Sequence, residues 1–246
     1  DNILAHFDSL TVLLMHRDDF DFLGFNEIKR EQTPVKTILE ALGDSKIKNK
    51  YLMMGLSNWK TERVDKSLEL GDKYQNLPKP VLNSPYFSLF EMSTRSIHAG
   101  GVQVYHNEMM NDSFQKGIKI MPYSPLGGFS ILDKSEPRWE NAKKDAKNKY
   151  DKGDPYWQNV YNAIFTQDNE KRYYRVVEFT KKFNEKNKTD YTIDQMINAY
   201  ALAHIRTDFL TIGPTTIEQL RRTVSSIKLS HLLTKKNLEY LYNGKE

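Results

Sequence analysis

The chain has 246 residues, of which 39% are hydrophobic and 28% are charged, and its formal net charge is +4. A chain of this length can bury one substantial core, so we expect a single domain over residues 1–246. No apolar stretch approaches the roughly 18 residues that a membrane-spanning helix needs, and no secretory signal is evident. With no cysteine, disulfides and thiolate chemistry are excluded, and a cytoplasmic location is expected. The lysines alternate with acidic residues, which argues against nucleic acid as a partner.

Short apolar runs alternate with segments of helical periodicity along the chain. The strands are expected at Thr11–Met15, Tyr51–Leu56, Val81–Phe87, Ile118–Tyr123 and Phe209–Ile212. The helices are expected at Thr33–Gly43, Thr61–Tyr74, His106–Lys116, Lys171–Lys186, Thr192–Ala203, from Thr216 onward and at Lys235–Asn243. Capping boxes favour helix starts at Thr192 and Thr216, whereas Thr33 is expected to cap a helix that begins at Pro34. The alternation predicts an α/β fold with a parallel sheet.

The stretch 129–170 has no such pattern and follows the sequence YSPLGG. Stretches of this length without regular structure are uncommon inside domains and often functional. We therefore expect a long loop or lid over residues 129–170. A surface excursion packed by its own aromatic residues is the alternative.

Four of the strands end in small polar or glycine-bearing clusters, in the segments TVLLMHRDD, LMMGLSNW, IKIMPYSPLGG and FLTIGPTTIEQ. In parallel sheets with helical crossovers, functional residues gather at the carboxyl ends of the strands. The four clusters together, in this order and spacing, resemble the aldo-keto reductase family. The resemblance runs from the family's fourth barrel strand to its C-terminus, and it implies a fold of the (β/α)8 TIM-barrel type with about the last five strand–helix units in this chain.

The resemblance implies a role for each cluster. His16 corresponds to the family's catalytic histidine, which orients the substrate carbonyl. Ser57 and Asn58 correspond to the pair that holds the nicotinamide carboxamide, and Ser84 stands where the family has a glutamine with the same partner. Tyr123 corresponds to the aromatic residue that stacks on the nicotinamide. The remaining positions correspond to the phosphate and adenosine end of the cofactor: Ser124, Leu126, Gly128, Gly213, Thr215, Thr216, Gln219 and Thr223.

The resemblance also implies an activity, the NAD(P)H-dependent reduction of an aldehyde or ketone. The family's catalytic tyrosine, lysine and aspartate come from its first three units, so we expect them outside this segment. A non-catalytic, reductase-like subunit of a larger assembly is the alternative, with a missing N-terminal segment or a protein partner covering the open edges of the sheet. NADPH-preferring members carry a basic residue in the phosphate loop, where this chain has Gly213, Thr215 and Gln219, so NADPH and NADH both stay open as the cofactor.

Two histidines, His98 and His106, flank the segment IHAGGVQVYH. Their eight-residue separation fits no helical arrangement of metal ligands, and no acidic residue completes a ligand set. We interpret both as loop residues and predict no metal site.

Overall fold

The structure is a computed structural model that describes residues 9–19, 21–23, 26–28, 31–94, 96–97, 101–127 and 138–245. Its centre is a four-stranded parallel sheet in the order β1-β4-β5-β8. These strands are β1 (Leu10–Met15), β4 (Tyr51–Ser57), β5 (Pro80–Ser84) and β8 (Lys119–Ile120). Two short antiparallel pairs lie outside this sheet, namely β2 (Asp21–Leu23) with β3 (Asn26–Ile28) and β6 (Ser96–Ile97) with β7 (Gly101–Val102).

Helices connect and follow the strands, as the alternating pattern predicts. The first four are α1 (Val35–Gly43), α2 (Ser45–Lys48), α3 (Thr61–Lys73) and α4 (His106–Met109). The next three are α5 (Trp139–Tyr150), α6 (Pro155–Ile164) and α7 (Gln167–Asn187). The last three are α8 (Ile193–Leu202), α9 (Ile217–Ser230) and α10 (Lys235–Asn243). None of the helices in the described ranges combines the length and apolar character that crossing a membrane requires.

The segment Phe209–Ile212, expected to be a strand, is extended but is not assigned to the sheet. It nevertheless runs beside the end of β8. The amide of Phe209 donates to the carbonyl of Ile120 (3.2 Å), and the amide of Thr211 donates to the carbonyl of Pro122 (2.8 Å). Too few bonds form for a regular ladder, but they hold the following loop against the segment that continues β8.

Several local predictions differ from the structure. Helix α1 begins at Val35 and is preceded by Pro34 without a side-chain cap, so Thr33 does not cap it. His106 is not a loop residue, since it is buried and begins α4, at the predicted start of the helix His106–Lys116; that helix ends at Met109 rather than at Lys116. His98 lies outside the described residues. The capping box at Thr192 is present as predicted.

The stretch 129–170 is not a long loop in its described part, which begins at residue 138. It contains α5, α6 and the start of α7. Trp139 packs in the main core against Phe90, Phe165 and Tyr173. The aromatic residues therefore anchor helices to the rest of the molecule, and a lid role for this stretch stays a prediction.

The buried side chains form two clusters, one built mainly from the N-terminal part of the chain and one mainly from the C-terminal part. The smaller one packs α1 and α3 against β4, with Leu39, Met54 and Val64 among its members. The larger one joins β8 to α5–α10, with Trp139, Tyr200 and Leu241 among its members. Because the four strands are parallel, the carboxyl ends of β1, β4, β5 and β8 lie together at one edge of the sheet, where the candidate site lies.

Candidate functional site

The loop after β1, which carries His16, is held by a buried ion pair. Nε of Arg63, on α3, lies 2.6 Å from Oδ2 of Asp18, whose side chain is fully buried. Arg63 also donates from Nη2 to the carbonyl of Thr33 (3.0 Å), and its guanidinium lies 5.6 Å from the ring of Trp59. The imidazole of His16 itself is exposed. The contacts with α3 thus hold the loop in place, while the side chain of His16 remains accessible to a substrate.

Asn58, at the end of β4, is the hydrogen-bonding centre of this edge. Its Nδ2 donates to the carbonyl of His16 (3.1 Å) and to Oγ of Ser57 (3.2 Å). Its Oδ1 accepts from the hydroxyl of Tyr123 (2.6 Å) and from the amide of Val102 (3.2 Å). Its backbone has φ of 58°, in the left-handed region that asparagine tolerates better than most residues. All donor and acceptor positions of the amide are therefore used within the protein.

Ser57 and Ser84 meet at the ends of β4 and β5. The hydroxyl of Ser57 donates to the carbonyl of Ser84 (2.8 Å), and both residues are buried. This bond ties two neighbouring strands at the point where they leave the sheet. The structure therefore brings together four predicted site residues, His16, Ser57, Asn58 and Ser84, in one network.

Tyr123 connects this network to a cavity. Its hydroxyl binds Asn58, while its ring forms part of the cavity wall. Burial raises the pKa of the Tyr123 hydroxyl, so the group remains protonated and acts as the donor to Asn58. The ring also packs edge-on against Tyr86, whose own hydroxyl donates to the carbonyl of Phe90 (2.8 Å). Tyr86 is therefore a structural residue, and Tyr123 is the one that faces both parts of the site.

The cavity has a volume of about 420 Å³ and lies between the YSPLG turn and the GPTT loop. Seven predicted cofactor positions line it: Tyr123, Ser124, Leu126, Gly213, Thr215, Gln219 and Thr223. Thr216 lies beside it and caps α9, with Oγ1 accepting from the amide of Gln219 (3.1 Å). Gly128 falls outside the described residues. The positions that the sequence singled out at two distant places in the chain thus surround one space.

Local backbone geometry shapes both walls of the cavity. Ser124 has φ of 56°, and its carbonyl accepts from the amide of Gly127 (3.0 Å), closing a tight turn. Across the cavity, the side chain of Gln219 reaches back to the amide of Thr215 (2.8 Å) and holds the GPTT loop on the start of α9. Left-handed backbone at a residue other than glycine costs free energy and is concentrated at functional sites.

Sequence reasoning missed two polar residues of the cavity wall, Asp194 and Asn198 on α8. They are 3% and 1% exposed, respectively. Oδ1 of Asp194 and both polar atoms of the Asn198 amide have no hydrogen-bond partner among the described residues. The i, i+4 spacing that places them on one helical face is visible in the sequence. Which face meets the cavity depends on the packing of α8 on α9, which the sequence does not reveal.

The sequence model of the Aldo/keto reductase family matches residues 5–242. The chain belongs to this family. The match covers nearly the whole chain and begins upstream of β1, so the placing of the resemblance from the fourth barrel strand onward is not supported. No curated protein sequence matches the chain.

Membership of the aldo/keto reductase family implies oxidoreductase activity on carbonyl compounds, and the family generally uses NAD(P)H. The parallel sheet with its surrounding helices is consistent with the family's TIM-barrel type of fold. The residues around the cavity also fit such a cofactor chemically. They include an aromatic ring, a tight turn and buried polar atoms without partners. Such a lining is typical of a site that binds a small molecule through apolar contacts and a few polar groups.

Proposed function

We propose that this aldo/keto reductase binds NADH or NADPH in the cavity beside Tyr123 and reduces a small aldehyde or ketone to an alcohol. The observation that carries the proposal is the convergence of seven cofactor positions around one cavity that Tyr123 joins to Asn58. The polar network then continues from Asn58 to the loop of His16. A nucleotide site and a carbonyl site would accordingly share one connected wall.

The residues of this chain would bind and orient the reactants. The chemistry supplied by a bound nicotinamide is hydride donation to the carbonyl carbon, after which the carbonyl oxygen takes up a proton. The exposed imidazole of His16 would donate a hydrogen bond to that oxygen as negative charge develops on it. Ser57 and Asn58 would hold the carboxamide. For Asn58 this requires exchanging a present bond, because its amide is fully committed within the protein.

The proton donor is the remaining requirement. The tyrosine, lysine and aspartate that the resemblance implies are expected outside this segment. Tyr123 does not replace the tyrosine, since its hydroxyl is committed to Asn58 (2.6 Å) and burial raises its pKa. A proton donor other than Tyr123 is therefore required for turnover.

Two measurements on the chain test the proposal. Nucleotide fluorescence should report saturable binding of NADH or NADPH, and absorbance of the reduced nicotinamide should fall when an aromatic aldehyde is added. Binding together with turnover supports the reductase function. If neither nucleotide binds, the proposal is wrong.

A non-catalytic subunit is the second candidate, and an apolar stripe on α9 favours it. The stripe consists of Ile217, Leu220, Val224 and Ile227, which are between 41% and 71% exposed. Exposed apolar surface of this kind usually marks a contact with another protein surface. A protein partner of fixed stoichiometry, whose binding is lost in Val224→Lys, together with no turnover, would support this candidate. The cytoplasmic location and the single-domain assignment stay predictions.

A further inference from the structure

The charges around the cavity bear on which nucleotide enters it. The described residues that line the cavity include no lysine, arginine or histidine, and the one carboxylate among them is that of Asp194. NADPH differs from NADH by a phosphate on the adenosine ribose. A carboxylate accepts hydrogen bonds from hydroxyl groups and repels a phosphate, so the charge of this wall affects the two nucleotides differently.

Arg222, on α9, is the cation that contacts Asp194, and it is already engaged. Its Nε lies 3.1 Å from Oδ2 of Asp194, and its Nη1 lies 3.4 Å from Oε1 of Glu218. Two carboxylates thus face one guanidinium, leaving one net negative charge in the group. A phosphate that recruited Arg222 would have to break the bond to a buried carboxylate, and an unpaired buried charge is costly.

Two buried side chains of the wall have polar atoms without a hydrogen-bond partner within the described structure. Oδ1 of Asp194 is a free acceptor, while the amide of Asn198 offers both donors and an acceptor. Buried polar groups are nearly always hydrogen-bonded, and those without partners call for an explanation. An adenosine ribose with both hydroxyls free would supply donors to the carboxylate and further partners to the amide.

We propose that Asp194 and Asn198 recognise the unphosphorylated adenosine ribose, and that this chain selects NADH over NADPH. The proposal rests on the proposed function, because it takes the cavity to be the adenosine end of the nucleotide site. Asp194 determines specificity through its charge and its free oxygen. Asn198 contributes affinity for either nucleotide.

The test is an equilibrium titration of the whole chain with NADH and NADPH, followed by nucleotide fluorescence and repeated at low and high salt. We expect NADH to bind at least about tenfold more tightly at low salt, because like charges brought together in a partly dry site are strongly unfavourable. High salt should reduce the difference in affinity between NADH and NADPH, because it screens the repulsion between Asp194 and the phosphate. Titrations with 5′-AMP and adenosine 2′,5′-bisphosphate examine the adenosine end alone and should show the same order.

Variants separate the charge of Asp194 from other effects. Asp194→Asn should reduce the preference about tenfold, while Asp190→Asn, which removes an equal charge from an exposed position just before α8, should leave it unchanged. If Asp194→Asn does not fold, Gly213→Lys serves instead. A side chain at Gly213 meets nothing within 4 Å, so this substitution adds a cation to the wall without a clash and should raise affinity for NADPH.

The outcomes distinguish this inference from the proposed function. Equal binding of the two nucleotides, tighter binding of NADPH, or a preference that Asp194→Asn leaves intact would overturn the inference alone. Binding of 5′-AMP without binding of NADH would support the adenosine assignment and contradict the proposed function. If none of these nucleotides binds, both are wrong.

Discussion

The position of His16 determines what it can contribute. Its imidazole is exposed, whereas its backbone is held by Asn58 and by the ion pair of the neighbouring Asp18. A substitution of the imidazole should therefore leave the loop in place. This separates a role in the reaction from a role in folding.

We expect His16→Gln to lower turnover of a model aldehyde roughly 10²-fold, which is the usual scale for losing one preorganised donor at a developing oxyanion. The dissociation constant of the nucleotide should not change, because His16 does not line the cavity. Steady-state kinetics and a nucleotide titration check both parts. Equal turnover in His16→Gln and in the unsubstituted chain would exclude the role.

At the scale of single residues, the sequence predicts where the site residues lie better than it predicts their hydrogen-bond partners. The motifs locate Ser57, Asn58 and Tyr123 at strand ends, and the structure places them there. The committed amide of Asn58 could not be predicted, because its partners lie 42 and 65 residues away along the chain. Asp194 and Asn198 were missed for a similar reason, since a polar residue on a helix is ordinarily assigned to solvent.

Two of the contacts between secondary-structure elements bury an ionic or polar group and lead to testable predictions. The first is the pair of Asp18 and Arg63, which joins the loop after β1 to α3. Removing one member of such a pair leaves an uncompensated charge in a site with little water. The pair should therefore matter to the stability of this end of the sheet.

We expect Arg63→Ala to lower the free energy of unfolding by about 3 kcal/mol, the scale observed when a buried pair loses one partner. Lys66→Ala, on the same helix, is the control, because Lys66 pairs with Glu69 in solvent and its loss should cost under about 1 kcal/mol. Urea unfolding of both variants provides the comparison. Similar losses in the two variants would contradict a special role for the buried pair.

The second contact is a histidine pair between α4 and α8. Nδ1 of His204 lies 2.7 Å from the carbonyl of Tyr200, so this nitrogen carries the proton, and Nε2 accepts from Nδ1 of His106 (2.9 Å). Two neutral imidazoles can form both of these hydrogen bonds. The charged and polar groups that face the pair from neighbouring elements are Glu91, Arg172, Tyr200, Glu239 and Tyr242.

Burial lowers the pKa of His204 from 6.5 to about 3, with the neighbouring His106 adding to the effect. Burial also lowers the pKa of His106. Below about pH 6.5 the unfolded chain therefore binds protons that the folded chain does not. The stability is present above that pH and is lost as the pH falls toward about 3.

We expect His204 alone to contribute a loss of about 2 kcal/mol in unfolding free energy between about pH 6.5 and about pH 5, from the slope of about 1.4 kcal/mol per pH unit for one proton. His204→Gln should flatten the dependence, whereas His231→Gln should not, since His231 is exposed. Urea unfolding across this range measures the slopes. The same slope in His204→Gln and the unsubstituted chain would contradict the assignment.

Helices and strands were predicted best where neighbouring residues alone determine the start or end of the element. The capping box at Thr192 starts α8 as predicted, and α10 has the predicted bounds. The stretch 129–170 was misjudged because half of the residues of α5 are lysine or asparagine, and only burial of Trp139 and two alanines gives the helix an inner face. The segment at Phe209 was misjudged because its apolar residues are partly exposed beside β8 rather than inside the sheet.

For the whole molecule, the family and the α/β architecture were predictable because four motifs in fixed order constrain more than any one of them. Closure of the sheet is not a local property. Within the described residues, β1 has a partner on one side only, and the stripe on α9 is exposed. Unpaired strand edges and exposed apolar stripes are both surfaces on which other polypeptide segments commonly pack.

The central claim is that the cavity beside Tyr123 is a nicotinamide dinucleotide site, and a titration with NADH tests it most directly. Leu126→Trp fills the cavity wall, while Leu232→Trp makes the same change at an exposed position outside the cavity. We predict saturable binding to the unsubstituted chain and to Leu232→Trp, with affinity reduced at least about tenfold in Leu126→Trp, as expected when a binding pocket is obstructed. Equal affinity in the two variants, or no saturable binding by the unsubstituted chain, would contradict the account.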